Sequence, residues 1–157
     1  MNNFFWRRNR NAEIEALPAF SAERGRAPRI LVESRDLAER WAIEVILRRA
    51  GFEPASCGGP EVLPGGRCPL VAGSGCPAFT AADAVFCRLD LADAANEQIL
   101  QTLKSEAGRR RVVVEVPSPR ARKLAGLLEG CVVLPMPATS AAIVEAFAGV
   151  TGAEVAA

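Results

Sequence analysis

The chain has 157 residues, of which 50% are hydrophobic and 24% charged; that is room for one ordinary globular domain with a short extension, and it excludes two full domains, a fibrous chain and a disordered one. Nineteen Lys and Arg stand against eighteen Asp and Glu, a net charge of +1, so no global field draws the chain to nucleic acid or to an anionic membrane. Histidine is absent, and with it go His-based acid–base catalysis, Ser–His and Cys–His nucleophile pairs and every His-containing metal site this chain could build alone.

The opening MNNFFWRRNRN has neither the apolar stretch nor the small-residue cleavage site of a secretory signal, and no apolar run approaches the length of a membrane span; a cytoplasmic location is expected. Residues 1–28 show no sustained periodicity and read as an arm: a basic-aromatic start, an acidic middle at Glu13 and Glu15, and a proline-interrupted end. Regular patterning begins at Arg29, so residues 29–152 form the expected domain. Ile30-Leu31-Val32 reads as a buried strand, and Asp36 to Ala50 as an amphipathic helix. Asp36 is placed to cap that helix, Leu37, Trp41, Val45 and Ile46 recur at helical spacing, Arg48 and Arg49 occupy the last turn, and Gly51 follows as a left-handed cap.

Phe52 to Ser56 is a second strand. It runs into CGGPEVLPGGRCPLVAGSGCP within the loop 57–78, where six glycines and several prolines forbid a long regular element. Ala84 to Cys87 reads as a third strand, Asn96 to Ser105 as a helix, Val112 to Val116 as a fourth strand, and Pro119 to Leu128 as a short helix stopped by Gly130. Cys131 to Leu134 is a fifth strand, and Ala141 to Val150 a closing helix capped by Thr139 or Ser140. Strands alternating with helices at this spacing imply right-handed crossovers and a parallel sheet covered on both faces. Five such strands predict an α/β three-layer sandwich with the flavodoxin-like order 2-1-3-4-5.

RILVESRDLAERWAIEVILRRAGFE resembles, without a gap, the first strand, first helix and approach to the second strand of the receiver domains of bacterial response regulators. DAVFCRLDL is similar to their third strand, and VVLPMP to their fifth-strand ending, where receivers carry a lysine between two prolines. The resemblance covers about residues 29–150 and implies the receiver positions one by one. The acidic pair that holds a divalent metal falls on Ser34 and Arg35, with Glu33 and Asp36 on either side. The phospho-acceptor aspartate falls on Arg88, the hydroxyl position near Val116 and the lysine on Met136. Magnesium wants carboxylate oxygens and the phosphoryl group needs a nucleophile; Arg88 supplies neither and repels a cation beside it. The resemblance is thus to a degenerate receiver, a pseudo-receiver that lacks the phosphorylation residues.

Three constellations carry the functional expectations. In the parallel-sheet geometry Glu33, Ser34, Arg35, Asp36, Arg88 and Asp90 should converge at the switch point between strands one and three. They would either hold an anion or close on themselves through a salt bridge of Arg88 to Glu33 or Asp36. The salt bridge is preferred, because no Gly-rich phosphate fingerprint follows any strand. Cys57, Cys68 and Cys76 share the glycine-rich loop and could bind zinc or an iron–sulfur cluster or form a redox disulfide, with Cys68 and Cys76 as the pair; none of their spacings is a CxxC knuckle, and packed, reduced thiols are the expectation. Cys87 and Cys131, in apolar strands, read as small buried hydrophobes.

The third constellation is Phe4, Phe5 and Trp6 followed by Arg7 and Arg8, aromatic and arginine anchors suited to docking on a partner protein, with a bilayer-surface contact as the runner-up and the chain's own apolar surface as the plainest occupant. The expected function is a non-enzymatic regulatory or assembly subunit that works through protein contacts. It needs no cofactor, its partners are another protein and a second copy of the chain in a homodimer, and nucleic acid is not among them. The alternative is a cysteine-based metal or redox sensor.

Overall fold

The computed structural model describes residues 16–20 and 27–152. Its elements alternate as β1 (Arg29–Ser34), α1 (Leu37–Arg49), β2 (Glu53–Cys57), α2 (Pro77–Ala81), β3 (Ala84–Arg88), α3 (Ala94–Glu106), β4 (Arg111–Val116), α4 (Ser118–Lys123), α5 (Ala125–Leu128), β5 (Val132–Pro135) and α6 (Ser140–Ala146). All strand pairings are parallel, in the order β2-β1-β3-β4-β5, as the alternation of elements requires.

Two apolar clusters fill the faces of the sheet. On the first, Ile30, Val32, Phe86 and Val113 pack under Ile43 and Leu47 of α1 and Ile143 and Phe147 near α6, with Phe52 edge-on to Phe147 at 6.0 Å. On the other, Leu31, Val85, Val112 and Val114 pack beneath Phe79, Leu100, Leu103 and the long loop between β2 and α2. Alternate residues of each strand serve opposite faces, which is why the strands read as nearly continuous apolar runs.

Asp36 caps α1, its carboxylate accepting the Glu39 N–H at 2.8 Å, and Gly51 takes φ 90° just past the end, where only glycine is free of strain. The buried face of α1 differs from the one its apolar residues suggest. Arg40, Ile43 and Leu47 point inward, whereas Leu37 and Trp41 are 69% and 67% exposed. The inward line runs through 40, 43 and 47, one position away from Trp41, and it places Arg40 next to a buried acid of β1.

Three other expectations are corrected. The helix expected over 119–128 is two short ones, divided at Leu124, whose φ of −100° and ψ of 12° belong to neither. The closing helix stops at Ala146 rather than Val150. Cys131 precedes β5 and is half-buried instead of lying inside the strand. In the glycine-rich loop, one turn of helix over 68–72 ends with Gly73 at φ 75°, its N–H bonded to Leu70 O at 3.1 Å and the Ser74 N–H to Pro69 O at 3.0 Å, a closure that a left-handed residue makes possible.

Candidate functional site

The carboxyl ends of β1, β3 and β4 carry two neighbouring rows of side chains that point to opposite faces. In one row Ser34 stands beside Arg88, and Glu115 follows on β4, two residues beyond Val113 and so on the α1 face. Arg88 Nη2 lies 2.9 Å from Glu39 Oε1, and its Nη1 lies 3.3 Å from Glu115 Oε2. Glu115, 1% exposed, also accepts the Ala138 N–H at 2.7 Å through its other oxygen. The Ser34 hydroxyl donates to Glu39 at 3.2 Å. Two carboxylates thus hold the Arg88 guanidinium between them, which offsets the cost of removing the Glu115 charge from water.

A cavity of about 370 Å³ opens over this cluster, lined by Glu39, Arg88, Asp90, Glu115, Arg120 and Met136 among others. Arg120 and Asp90 pair across it at 2.8 Å. Each described cation of the wall thus has a carboxylate partner. Among the described residues that line the cavity, the carboxylates Glu39, Asp90 and Glu115 are each ion-paired to an arginine.

The other row is Cys57–Glu33–Cys87, in register across β2, β1 and β3 and facing the loop side. Glu33 is 6% exposed. Burial pushes its carboxyl from 4.5 up to about 7, against the Cys57 thiol that donates to it and the positive charge of Arg40. Cys57 is driven up by the same burial and by the Glu33 charge, and burial pushes Cys87 up to about 12. Gly58 closes this corner tightly: a Cβ there would stand 2.5 Å from Val62 Cγ2 and 3.0 Å from Arg40 Nη1.

The expected convergence is therefore divided. Arg88 pairs with neither Glu33 nor Asp36, because Glu33 points to the opposite face and Asp36 is spent on its helix. Arg35 swings outward to Glu61 at 2.5 Å. Met136 lines the same cavity as Arg88. The residues that sequence reasoning missed, Glu39, Glu115 and Arg120, are those that neutralise the site; an acid inside the apolar run Val112 to Val116 was the available signal.

Among the described residues no group of three or more Cys, Asp or Glu side chains is arranged to hold a metal ion, and Cys57, Cys68 and Cys76 are free thiols. Phe4, Phe5, Trp6, Arg7 and Arg8 lie outside the described residues. Of the arm, Leu17 lines a groove of about 670 Å³ with Cys76 and Pro77, and the Phe20 ring lies under the Arg29 guanidinium at 5.5 Å. No helix of the described residues is long and apolar enough to cross a membrane.

No protein-family model matches this sequence, and no curated protein does. Solved structures do. The sheet order and crossovers define a flavodoxin-like α/β fold, and its structural neighbours place it among receiver folds. A response regulator receiver domain from Clostridium thermocellum aligns with TM-score 0.58 at 17% identity over 76% of this chain and 90% of that one. A response regulator receiver protein from Sinorhizobium medicae WSM419 gives 0.58 at 18% identity over 76% and 90%. A candidate pilus assembly protein, CpaE, from Burkholderia thailandensis E264 gives 0.60 at 17% identity over 76% and 94%. At these identities the likeness shows the fold.

Proposed function

We propose that the chain is a regulatory or assembly domain that keeps the receiver fold, takes up no phosphoryl group and acts through protein contacts without enzymatic chemistry of its own. The observation that supports this reading is the pairing of Arg88, the residue to which the resemblance assigns the phospho-acceptor position, with Glu39 and Glu115. Those ion pairs tie α1, β3 and β4 together without any added charge. On the outer face of α1, Leu37 and Trp41 stand exposed one turn apart, anchors of the kind that protein interfaces use. The aromatic start of the arm, Phe4 to Trp6, is a second docking element under the same reading. A cytoplasmic setting and freedom from cofactors belong to this reading as well.

Pull-down with the full chain, the Trp41→Ala variant and a chain lacking residues 1–24 tests it, alongside liposome flotation. Loss of a saturable partner in either altered chain supports contact-based function. Identical partners for all three chains would remove it, and flotation dependent on residues 1–24 would replace arm docking by membrane contact.

A further inference from the structure

Cys57 ends β2, and the loop between β2 and α2 brings its two thiols, Cys68 and Cys76, to the feet of one closed turn. Cys68 opens the helical turn, its carbonyl accepting the Ala72 N–H at 3.0 Å. The chain then doubles back: Ser74 N–H and Ser74 Oγ both bond Pro69 O, at 3.0 and 3.1 Å, and Gly75 at φ 78° turns it toward Cys76. Pro69, next to Cys68, and Ser74, two residues before Cys76, are therefore tied to each other. Cys76 is a buried member of the loop-side apolar cluster, and Cys68 packs against the same cluster.

Both residues also line cavities, though different ones. Cys68 lines a cavity of about 330 Å³ together with Val71 and Ile99, and Cys76 lines the groove of about 670 Å³. Cys57 is committed elsewhere, its thiol donating to Glu33, and Cys87 is fully enclosed in β3.

We propose that Cys68 and Cys76 are a reversible redox pair, joined as a disulfide by a small peroxide. The half-buried Cys68 sulfur gives an electron pair to one peroxide oxygen. The O–O bond breaks, the departing oxygen takes the thiol proton and leaves as water, and Cys68 becomes a sulfenic acid. The Cys76 sulfur then attacks that sulfur, the S–O bond breaks, and the hydroxyl leaves with the Cys76 proton as a second water. Two thiols lose two electrons and the peroxide gains them. The bond closes a short loop that the turn has already folded, so little chain entropy opposes it, and it fixes one wall of the groove. Burial holds both thiols above their ordinary value, partly offset by the amides of Leu70 and Val71 at Cys68 and of Phe79 and Ala78 at Cys76; the reaction therefore speeds up as pH rises toward the thiol values.

The test uses the full wild-type chain. It is treated with hydrogen peroxide, denatured, alkylated with N-ethylmaleimide, and cleaved after Arg67 and before Asp83, which isolates residues 68–82 with Cys68 and Cys76 as their only thiols. The expected product is that peptide two hydrogens lighter and unalkylated, taking up two alkyl groups only after reduction, with Cys57 alkylated on a separate peptide. A doubly alkylated 68–82 peptide, over-oxidation to sulfinic acid without a bond, or a cross-link to the Cys57 peptide would each overturn the pairing.

Discussion

The rows Ser34–Arg88–Glu115 and Cys57–Glu33–Cys87 sit side by side at the same end of one sheet, each containing a buried carboxylate, yet they are built on opposite terms. Glu115 receives a guanidinium and a backbone amide, so its charge is matched. Glu33 faces thiols and apolar side chains with Arg40 at its flank, and burial outweighs that charge enough to lift its carboxyl to about 7. The strands dictate this division. Adjacent residues point to opposite faces, so a step of one position moves an acid from an ionic cluster into a cluster of thiols. One row is a fixed structural tie; the other is a group that titrates near neutral pH.

Breaking the ionic row should cost most. Glu115→Ala leaves Arg88 with one partner and the Ala138 N–H with none, a loss of about 3 kcal/mol by denaturant unfolding, at the low end for a buried pair because Glu39 remains. The titrating row should show itself as pH dependence. The folded protein holds the Glu33 proton above the ordinary 4.5 and up to about 7, so between those values the native state binds more protons than the unfolded chain. Stability should therefore fall as pH rises through that window, by on the order of 3 kcal/mol, and level off above it. Unfolding measured from pH 5 to 8 checks the sign, and Glu33→Gln should flatten the slope; a wild-type curve that rises with pH would contradict the assignment.

Gly58→Ala sharpens the contrast at smaller cost. Its methyl would press on Val62 and Arg40, and forcing that packed corner apart should lose about 1–3 kcal/mol. It should also move the Glu33 titration, because Arg40 shifts, while leaving the Arg88 cluster in place. The smallest effect is expected for Arg35→Ala. Its pair with Glu61 has side chains 73% and 53% exposed, and such pairs contribute under about 1 kcal/mol; a larger loss would mean that the bridge closes the site after all.

Strand order, the Asp36 cap and the Gly51 turn were legible in the sequence because each depends on local chemistry or on a period of alternation. The partners of Arg88 were not. Glu39 comes from α1 and Glu115 from β4, and no local pattern says that a helix first turn and a strand end meet over a third strand. The same limit explains α1, where counting apolar residues favours Leu37 and Trp41 as the inward face, whereas the actual face includes Arg40 because Glu33 is waiting there. Glu33 itself carried a readable sign, an acid closing the apolar run Ile30 to Val32, as Glu115 does in the run from Val112.

The central claim is that an arginine ion-paired on both sides has replaced phosphoryl chemistry on this fold. Incubation of the full chain with acetyl phosphate and magnesium, followed by intact-mass measurement, tests it most directly. The account predicts an unchanged mass; an added phosphate that hydroxylamine removes would contradict it.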